Sequence, residues 1–184
     1  MRKVIVSEFV SLDGVMENPG WTFQFGSKEQ EQFKFDELFA CDALLLGRVT
    51  YSGFAAAWPK MQEQTGAYGE RMNSMPKYVA SRTLTEMEWN ANLIQGDLAE
   101  EVGRLKREAG QDVLVFGSCE LVHALTELDL VDEYRLMVFP IVLGGGKRVF
   151  REGGEKKILK LVESKSFASG VVVLSYEPAS KSGK

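Results

Sequence analysis

Three short stretches combine a permissive backbone with groups that bind anions. Leu44-Leu45-Leu46-Gly47-Arg48-Val49-Thr50-Tyr51 ends an apolar run in glycine and then offers an arginine fork suited to a phosphate. Thr50 stands where it can cap the next helix and turn that helix's free N–H groups toward an anion. Val113-Leu114-Val115-Phe116-Gly117-Ser118-Cys119-Glu120-Leu121 carries a buried run through glycine straight into a helical pattern, a geometry that cradles a pyrophosphate. Tyr78-Val79-Ala80-Ser81-Arg82-Thr83 puts a hydroxyl and a guanidinium at a third such end. Each alone reads equally well as a tight turn or a surface arginine. Together they suggest a long phosphorylated ligand, such as a dinucleotide with a 2′-phosphate. No GxGxxG or GxxxxGK stretch is present, so the common nucleotide fingerprints are not in use.

These ends need strands to place them. Runs rich in β-branched residues occur at Val4 to Val10, Ala43 to Leu46, Tyr78 to Ala80, Val113 to Phe116, Tyr134 to Ile141 and Val171 to Tyr176. The first four are nearly continuous in apolar character, as strands buried on both faces are. Helical patterns lie between them. Ser27-Lys28-Glu29-Gln30 has the form of a capping box, with Phe33, Phe35, Leu38 and Phe39 behind it. Asp97 caps a second pattern, in which Leu98, Val102, Leu105 and Ala109 share one face. Ser118 is placed to cap a third, with Leu121, Val122, Leu125 and Leu128 on its face. Strands alternating with helices predict a three-layer α/β/α fold with a mostly parallel sheet. The last two strands lack an intervening helix and predict an antiparallel C-terminal edge. The reading is one domain over residues 1–178 and a disordered tail over 179–184.

Bulk properties exclude several classes. A net charge of -4 does not favour nucleic-acid binding. No run approaches the length of a membrane span, and no signal segment is seen, so a cytoplasmic location is expected. Two cysteines, Cys41 and Cys119, make neither a disulfide framework nor a zinc site, and no metal is expected. The one histidine, His123, lies inside an apolar helical run where a structural role is expected, which argues against a catalytic triad.

The motifs Ser11-Leu12-Asp13-Gly14-Val15-Met16, Gly47-Arg48-Val49-Thr50-Tyr51, Ser81-Arg82-Thr83-Leu84, Gly117-Ser118 and Leu130-Val131-Asp132-Glu133-Tyr134 occur in an order that resembles dihydrofolate-reductase-like proteins. The chain is most similar in pattern to stand-alone relatives of the C-terminal reductase domain of the riboflavin-biosynthesis deaminase-reductase, including the stretch Pro140 to Phe150. The resemblance covers about residues 2 to 177. It implies that Arg48 and Arg82 hold the 2′-phosphate of NADPH, with Thr50, Ser81 and Gly47 beside them. It implies that Gly117, Ser118, Cys119, Glu120 and Leu121 bind the pyrophosphate. Val10, Phe116 and the Asp13-Gly14 loop would border the nicotinamide. The segment Gly14 to Gly26 resembles a mobile flap, and Trp21 is its candidate substrate contact; packing at a dimer interface is the other reading of its aromatics.

For chemistry, Glu31 falls near the place of the carboxylate used by dihydrofolate reductases, and Asp13 is a second candidate. Each also has a plain reading, as a solvated helix residue and a turn residue. Gly144-Gly145-Gly146-Lys147 reads as a substrate-contacting loop or a flexible hairpin. The zinc deaminase signature HxE with PCxxC is absent, so the first half of the bifunctional enzyme is not expected. The expected function is NADPH-dependent hydride transfer to a C=N or C=O of a small heterocycle, pterin-like or ribosylaminopyrimidine-like. The alternative is a nucleotide-binding protein of the same fold without turnover; a flavin-using reductase is a third, weaker reading. A homodimer is expected from the resemblance and from the apolar strand Tyr134 to Ile141.

Overall fold

A computed structural model describes residues 1–179. Of the tail expected at 179–184, Ala179 donates its N–H to the Ile158 carbonyl, and 180–184 lie outside the described residues. The elements run β1 (Val4–Ser11), a 3-10 helix (Pro19–Phe25), α1 (Lys28–Phe39), β2 (Cys41–Gly47), α2 (Arg48–Ser74, kinked at Gly66) and β3 (Lys77–Ala80). Then follow β4 (Ala91–Ile94), α3 (Leu98–Arg107), β5 (Asp112–Val115), α4 (Cys119–Glu127), β6 (Glu133–Phe139), β7 (Leu159–Ser166) and β8 (Val172–Pro178). The strands form one sheet in the order β4-β3-β2-β5-β1-β6-β8-β7. Pairings from β4 through β6 are parallel, and β8 and β7 join antiparallel.

The three expected layers follow from side-chain alternation along the apolar strands. Ile5, Leu44, Leu46, Val79 and Leu114 face α1 and α2, packing on Leu38, Tyr51 and Met72. Val4, Val6, Ala43, Leu45, Val113 and Val115 face α3 and α4, packing on Val102, Leu105, Val122 and Leu125. The caps predicted for α1 and α3 are made: Ser27 Oγ accepts from Gln30 N at 3.3 Å, and Asp97 Oδ1 from Glu100 N at 3.0 Å. Two strands carry no strong sequence signal. β4 has four residues and β7 is exposed along most of its length. Both are edges, where neither face must be fully apolar. The apolar run expected to serve a dimer contact, β6, instead lies inside the sheet between β1 and β8.

The centre of the sheet fixes the functional end. Gly47 closes β2, and its N–H donates to the Gly117 carbonyl at 3.0 Å. The Gly117–Ser118 peptide bond is cis, and Gly117 has φ 88°, which glycine tolerates. A side chain at Gly47 would strike Ser118 Oγ and come within 2.9 Å of Ser118 N. Gly47→Ala should therefore cost about 1–3 kcal/mol of stability through overpacking. Ser118→Gly removes one of the two obstructions and should recover part of that loss. Urea unfolding of the two single variants and the double variant checks this, and strictly additive effects would contradict it.

Candidate active site

β1 and β5 pair only from Val4↔Val113 to Val6↔Val115, whereas β1 stays paired with β6 as far as Ser11↔Phe139. One side of β1 is thus released beyond Val6, and a crevice opens at the carboxyl ends of the strands. This is where ligands bind in such sheets.

On one flank of the crevice, register places Gly47 beside Ala80 on the neighbouring strand. Arg48 and Ser81-Arg82 therefore leave the sheet side by side. Arg48 and Arg82 are both exposed and have no hydrogen bond or ion pair among the described residues. The Ser81 hydroxyl accepts from Thr83 N at 3.2 Å and Leu84 N at 3.1 Å, which shapes the turn carrying Arg82. Thr50 does not cap α2: the helix begins at Arg48 with Gly47 as its N-cap, so Thr50 is already in the first turn. Its Oγ1 lies against Gly117, 2.8 Å from where a side chain would begin.

The other helix N-terminus, that of α4, opens at Ser118, which occupies the N-cap position without a side-chain cap bond. The N–H groups of Cys119, Glu120 and Leu121 have no intrahelical acceptor at this end. The side chains of these residues point elsewhere. Cys119 is buried, its Sγ reaches the Arg148 carbonyl at 3.3 Å, and burial pushes its thiol up to about 11. Glu120 pairs with Lys147 and Arg151, and the Lys147 bond holds its carboxyl below the usual value. Leu121 is core, as is Val10. So Cys119 to Leu121 can serve an anion only through backbone. His123 is structural, as expected: its Nε2 meets the Arg148 carbonyl at 2.8 Å and its Nδ1 accepts from Arg151 Nε at 3.4 Å.

The α1 side departs from expectation. Glu31 is exposed, and its carboxylate is not brought to the crevice. Gln30, Lys34, Glu37 and Leu38 form the face turned to the sheet, at spacings of 4, 3 and 1, and Glu31 sits about 100° round from Gln30. Lys34 occupies the inward position instead. Its Nζ donates to Ser7 Oγ at 2.8 Å and pairs with the buried Glu37, and Arg135 braces Glu37 from β6 at 3.5 Å. The ammonium lies over the Phe116 ring at 4.4 Å and the Phe9 ring at 5.4 Å. Sequence reading missed Lys34 and Glu8. The available signal was the polar pair Ser7-Glu8 inside an apolar strand. Glu8 is buried, and desolvation pushes its carboxyl up to about 8 against the opposing pull of Lys34.

Asp13 is near the crevice but fully engaged. Oδ1 accepts from the Ser11 hydroxyl at 2.6 Å and Leu143 N at 3.1 Å, and Oδ2 from Gly144 N at 2.8 Å. These bonds, the Ser11 hydroxyl foremost, hold its carboxyl down at about 2, so it is ionised and braces the glycine loop. Glu17 adds a second brace by accepting from Lys147 N at 3.1 Å. The Gly144 to Lys147 segment is therefore anchored, not a free hairpin. Trp21 donates to the Glu17 carbonyl at 3.2 Å and packs edge-on against Phe139 at 5.5 Å. With Phe9, Phe25 and Phe33 it forms an aromatic wall, whereas Phe23 is exposed. A separate cavity of 560 Å3 lies between α4 and residues 149–159, lined by His123, Phe150, Arg151 and Lys157. Among the described residues, no cluster of His, Cys, Asp and Glu is placed to hold a metal ion, and no helix is long and apolar enough to cross a membrane.

Comparison with known proteins agrees with this geometry. The family model for the RibD C-terminal domain matches residues 2–173. The chain is 32% identical over 177 residues to the protein YyaP of Bacillus subtilis (strain 168), covering 95% of this chain and 94% of that protein. It resembles the crystal structure of a Shewanella sp. PV-4 protein named for riboflavin biosynthesis, with a TM-score of 0.78, 24% identity, and coverage of 96% and 99%. It also shares the fold of Enterococcus faecalis dihydrofolate reductase, solved with NADP(H), at a TM-score of 0.61, 11% identity, and coverage of 96% of both chains. By sequence and by fold, the chain belongs to the RibD C-terminal domain family, a reductase family with the dihydrofolate-reductase fold.

Proposed function

We propose that the protein is an NADPH-dependent reductase acting in the cytoplasm on a small heterocyclic substrate, with hydride transfer to a C=N or C=O. The observation that carries this reading is the pair of arginines, Arg48 and Arg82, without partners among the described residues and leaving adjacent strands beside a glycine-lined turn and two helix N-termini. The residues present fit a 2′-phosphorylated dinucleotide. Two exposed guanidinium forks suit the phosphate. Gly47 and Gly117 let the ends of β2 and β5 close against Ser118 and Thr50, which sets the first turns of α2 and α4 side by side for a pyrophosphate. Phe116 and the released backbone edge of β1 at Val10, whose side chain is core, would border the nicotinamide. A bound nicotinamide supplies the hydride; the chain supplies position, dryness and charge.

Lys34 takes the place expected of Glu31 and changes the chemistry available. A fixed ammonium beside an aromatic wall favours an acceptor with a carbonyl or anionic group and disfavours a protonated pterin. That tilts the choice toward a ribosylaminopyrimidine-like substrate, whose flat ring would stack on Phe9 or Trp21, both half-buried and seated on Phe139. Lys34, held by Ser7 and Glu37, would polarise the acceptor oxygen. A second reading, nucleotide binding without turnover, draws support from the exposed Glu31 and the engaged Asp13. Oxidation of NADPH with any of a panel of pterins, quinones and pyrimidine nucleotides counts against it. A homodimer would use the exposed edge strand β7, with Ile158, Leu161 and Val162, because β6 is enclosed. Sedimentation showing only monomer at tens of micromolar (roughly where obligate dimers persist) contradicts that.

Arg48→Ala and Arg82→Ala should each weaken NADPH binding by about 10- to 100-fold, the range of a lost charge-assisted contact, and leave NADH binding unchanged. Fluorescence titration measures this, and equal NADPH affinity in the variants refutes the assignment. Lys34→Met should lower kcat at least about tenfold while NADPH affinity changes little, as expected for a group that acts on the acceptor. An unchanged kcat removes Lys34 from the chemistry.

A further inference from the structure

Before its terminal Ser11, β1 is apolar on both faces except at Ser7 and Glu8. Ser7 faces α1, where Lys34 and Glu37 satisfy it. Glu8 points to the opposite face with Val10, is 8% exposed, and has an Oε1 without a hydrogen-bond partner among the described residues. A buried carboxyl with an unpaired oxygen is costly and calls for a reason. That oxygen lies 3.8 Å from the point where a Gly117 side chain would begin, at the level where β1 and β5 part. The charged and titratable groups facing it are Lys34 and Glu37 from α1 and Cys119 from α4, together with the Gly117 N–H.

We propose that Glu8 matches the charge of the nicotinamide: it is a neutral acid beside the reduced, uncharged ring and a carboxylate beside the oxidised, cationic ring. Binding the oxidised cofactor then expels the carboxyl proton to solvent, and binding the reduced cofactor does not. This rests on the cofactor reading above. In the free protein, burial places the carboxyl near 8, with Glu37 pushing the same way and Lys34 and the Gly117 N–H opposing. Glu8 is therefore mostly protonated at pH 7. A cation entering the same dry crevice favours the ionised form. NADP+ affinity should accordingly rise with pH, by up to tenfold per unit, until it levels off near pH 8. NADPH affinity should stay flat over the same range.

Free-protein stability offers an independent reading. The unfolded chain ionises this carboxyl near the ordinary 4.5, and the folded chain near 8. Between those values the folded state holds the extra proton, so Glu8 makes the fold lose stability as pH rises through that window. Glu8→Gln should remove that slope.

The deciding experiment titrates NADP+ and NADPH into the weakly buffered full-length protein at pH 7 with a pH indicator. The wild type should release close to one proton per NADP+ bound and none per NADPH. Glu8→Gln should bind both and release none. Lys34→Met, which lacks the opposing cation, should move the pH midpoint of NADP+ affinity upward. Binding of both nucleotides without proton release overturns the Glu8 proposal and leaves the cofactor reading intact. Equal release from Glu8→Gln also overturns it. If neither nucleotide binds the wild type, the cofactor reading fails and this proposal with it. Should Glu8→Gln fail to fold, the wild-type release and the Lys34→Met midpoint decide.

Discussion

The hydrogen bond from the Gly47 N–H to the Gly117 carbonyl is the tie on which the rest of the site depends. It joins the carboxyl ends of β2 and β5 two residues beyond their last paired residues, Leu45 and Val115. Because both partners are glycine, the chain leaves each strand at close range and turns directly into a helix. The first turns of α2 and α4 are thereby set against the same small patch of backbone. Arg48 follows from Gly47 by one residue, and Arg82 follows from the register of β3 on β2. Most of the geometry at this end of the sheet is thus a consequence of two glycines that cannot be replaced without moving Ser118 or Thr50.

The other half of the crevice is organised by charge rather than by backbone. Ser7 and Glu8 put polar groups on opposite faces of a strand otherwise built for the core. The α1 face answers with a closed set, Ser7, Lys34, Glu37 and Arg135, in which each charge has a partner. The other face leaves Glu8 under the turn with an oxygen unmet. Buried ionic sets of this kind add little to net stability, so their value lies in position. Here they hold an ammonium over two aromatic rings at the mouth of the site.

Much of this was legible from the sequence. Continuous apolar strands declared a doubly covered sheet, and Ser27 and Asp97 declared two helix starts. Gly47-Arg48, Ser81-Arg82 and Gly117-Ser118 declared strand ends that the structure brings together at the crevice. What failed did so for identifiable reasons. β4 and β7 are edges, so they carry no buried pattern to read. Glu31 was placed by counting along the chain, but helical phase decides which residue faces inward, and one position separates it from Gln30. Lys34 was passed over because a lysine in a mixed helix looks solvated until Ser7 and Glu37 are seen beneath it. Thr50 reads as a cap only if the helix begins three residues later than it does, at Tyr51 instead of Arg48. The apolar run of β6 is covered by strands of its own sheet, and apolarity alone does not say whether a strand's neighbour is another strand or another molecule.

The braces from Asp13 and Glu17 couple two stretches that lie more than a hundred residues apart in sequence. Trp21, tied to the Glu17 carbonyl, rides on the same assembly. The glycine segment, the loop after β1 and the start of the aromatic wall therefore behave as one jaw. The opposing anvil is the rigid sheet end bearing Gly47 and Gly117. Because jaw and anvil come from separate stretches of chain, substitutions in the one can reshape it while the glycine contact of the other stays as it is.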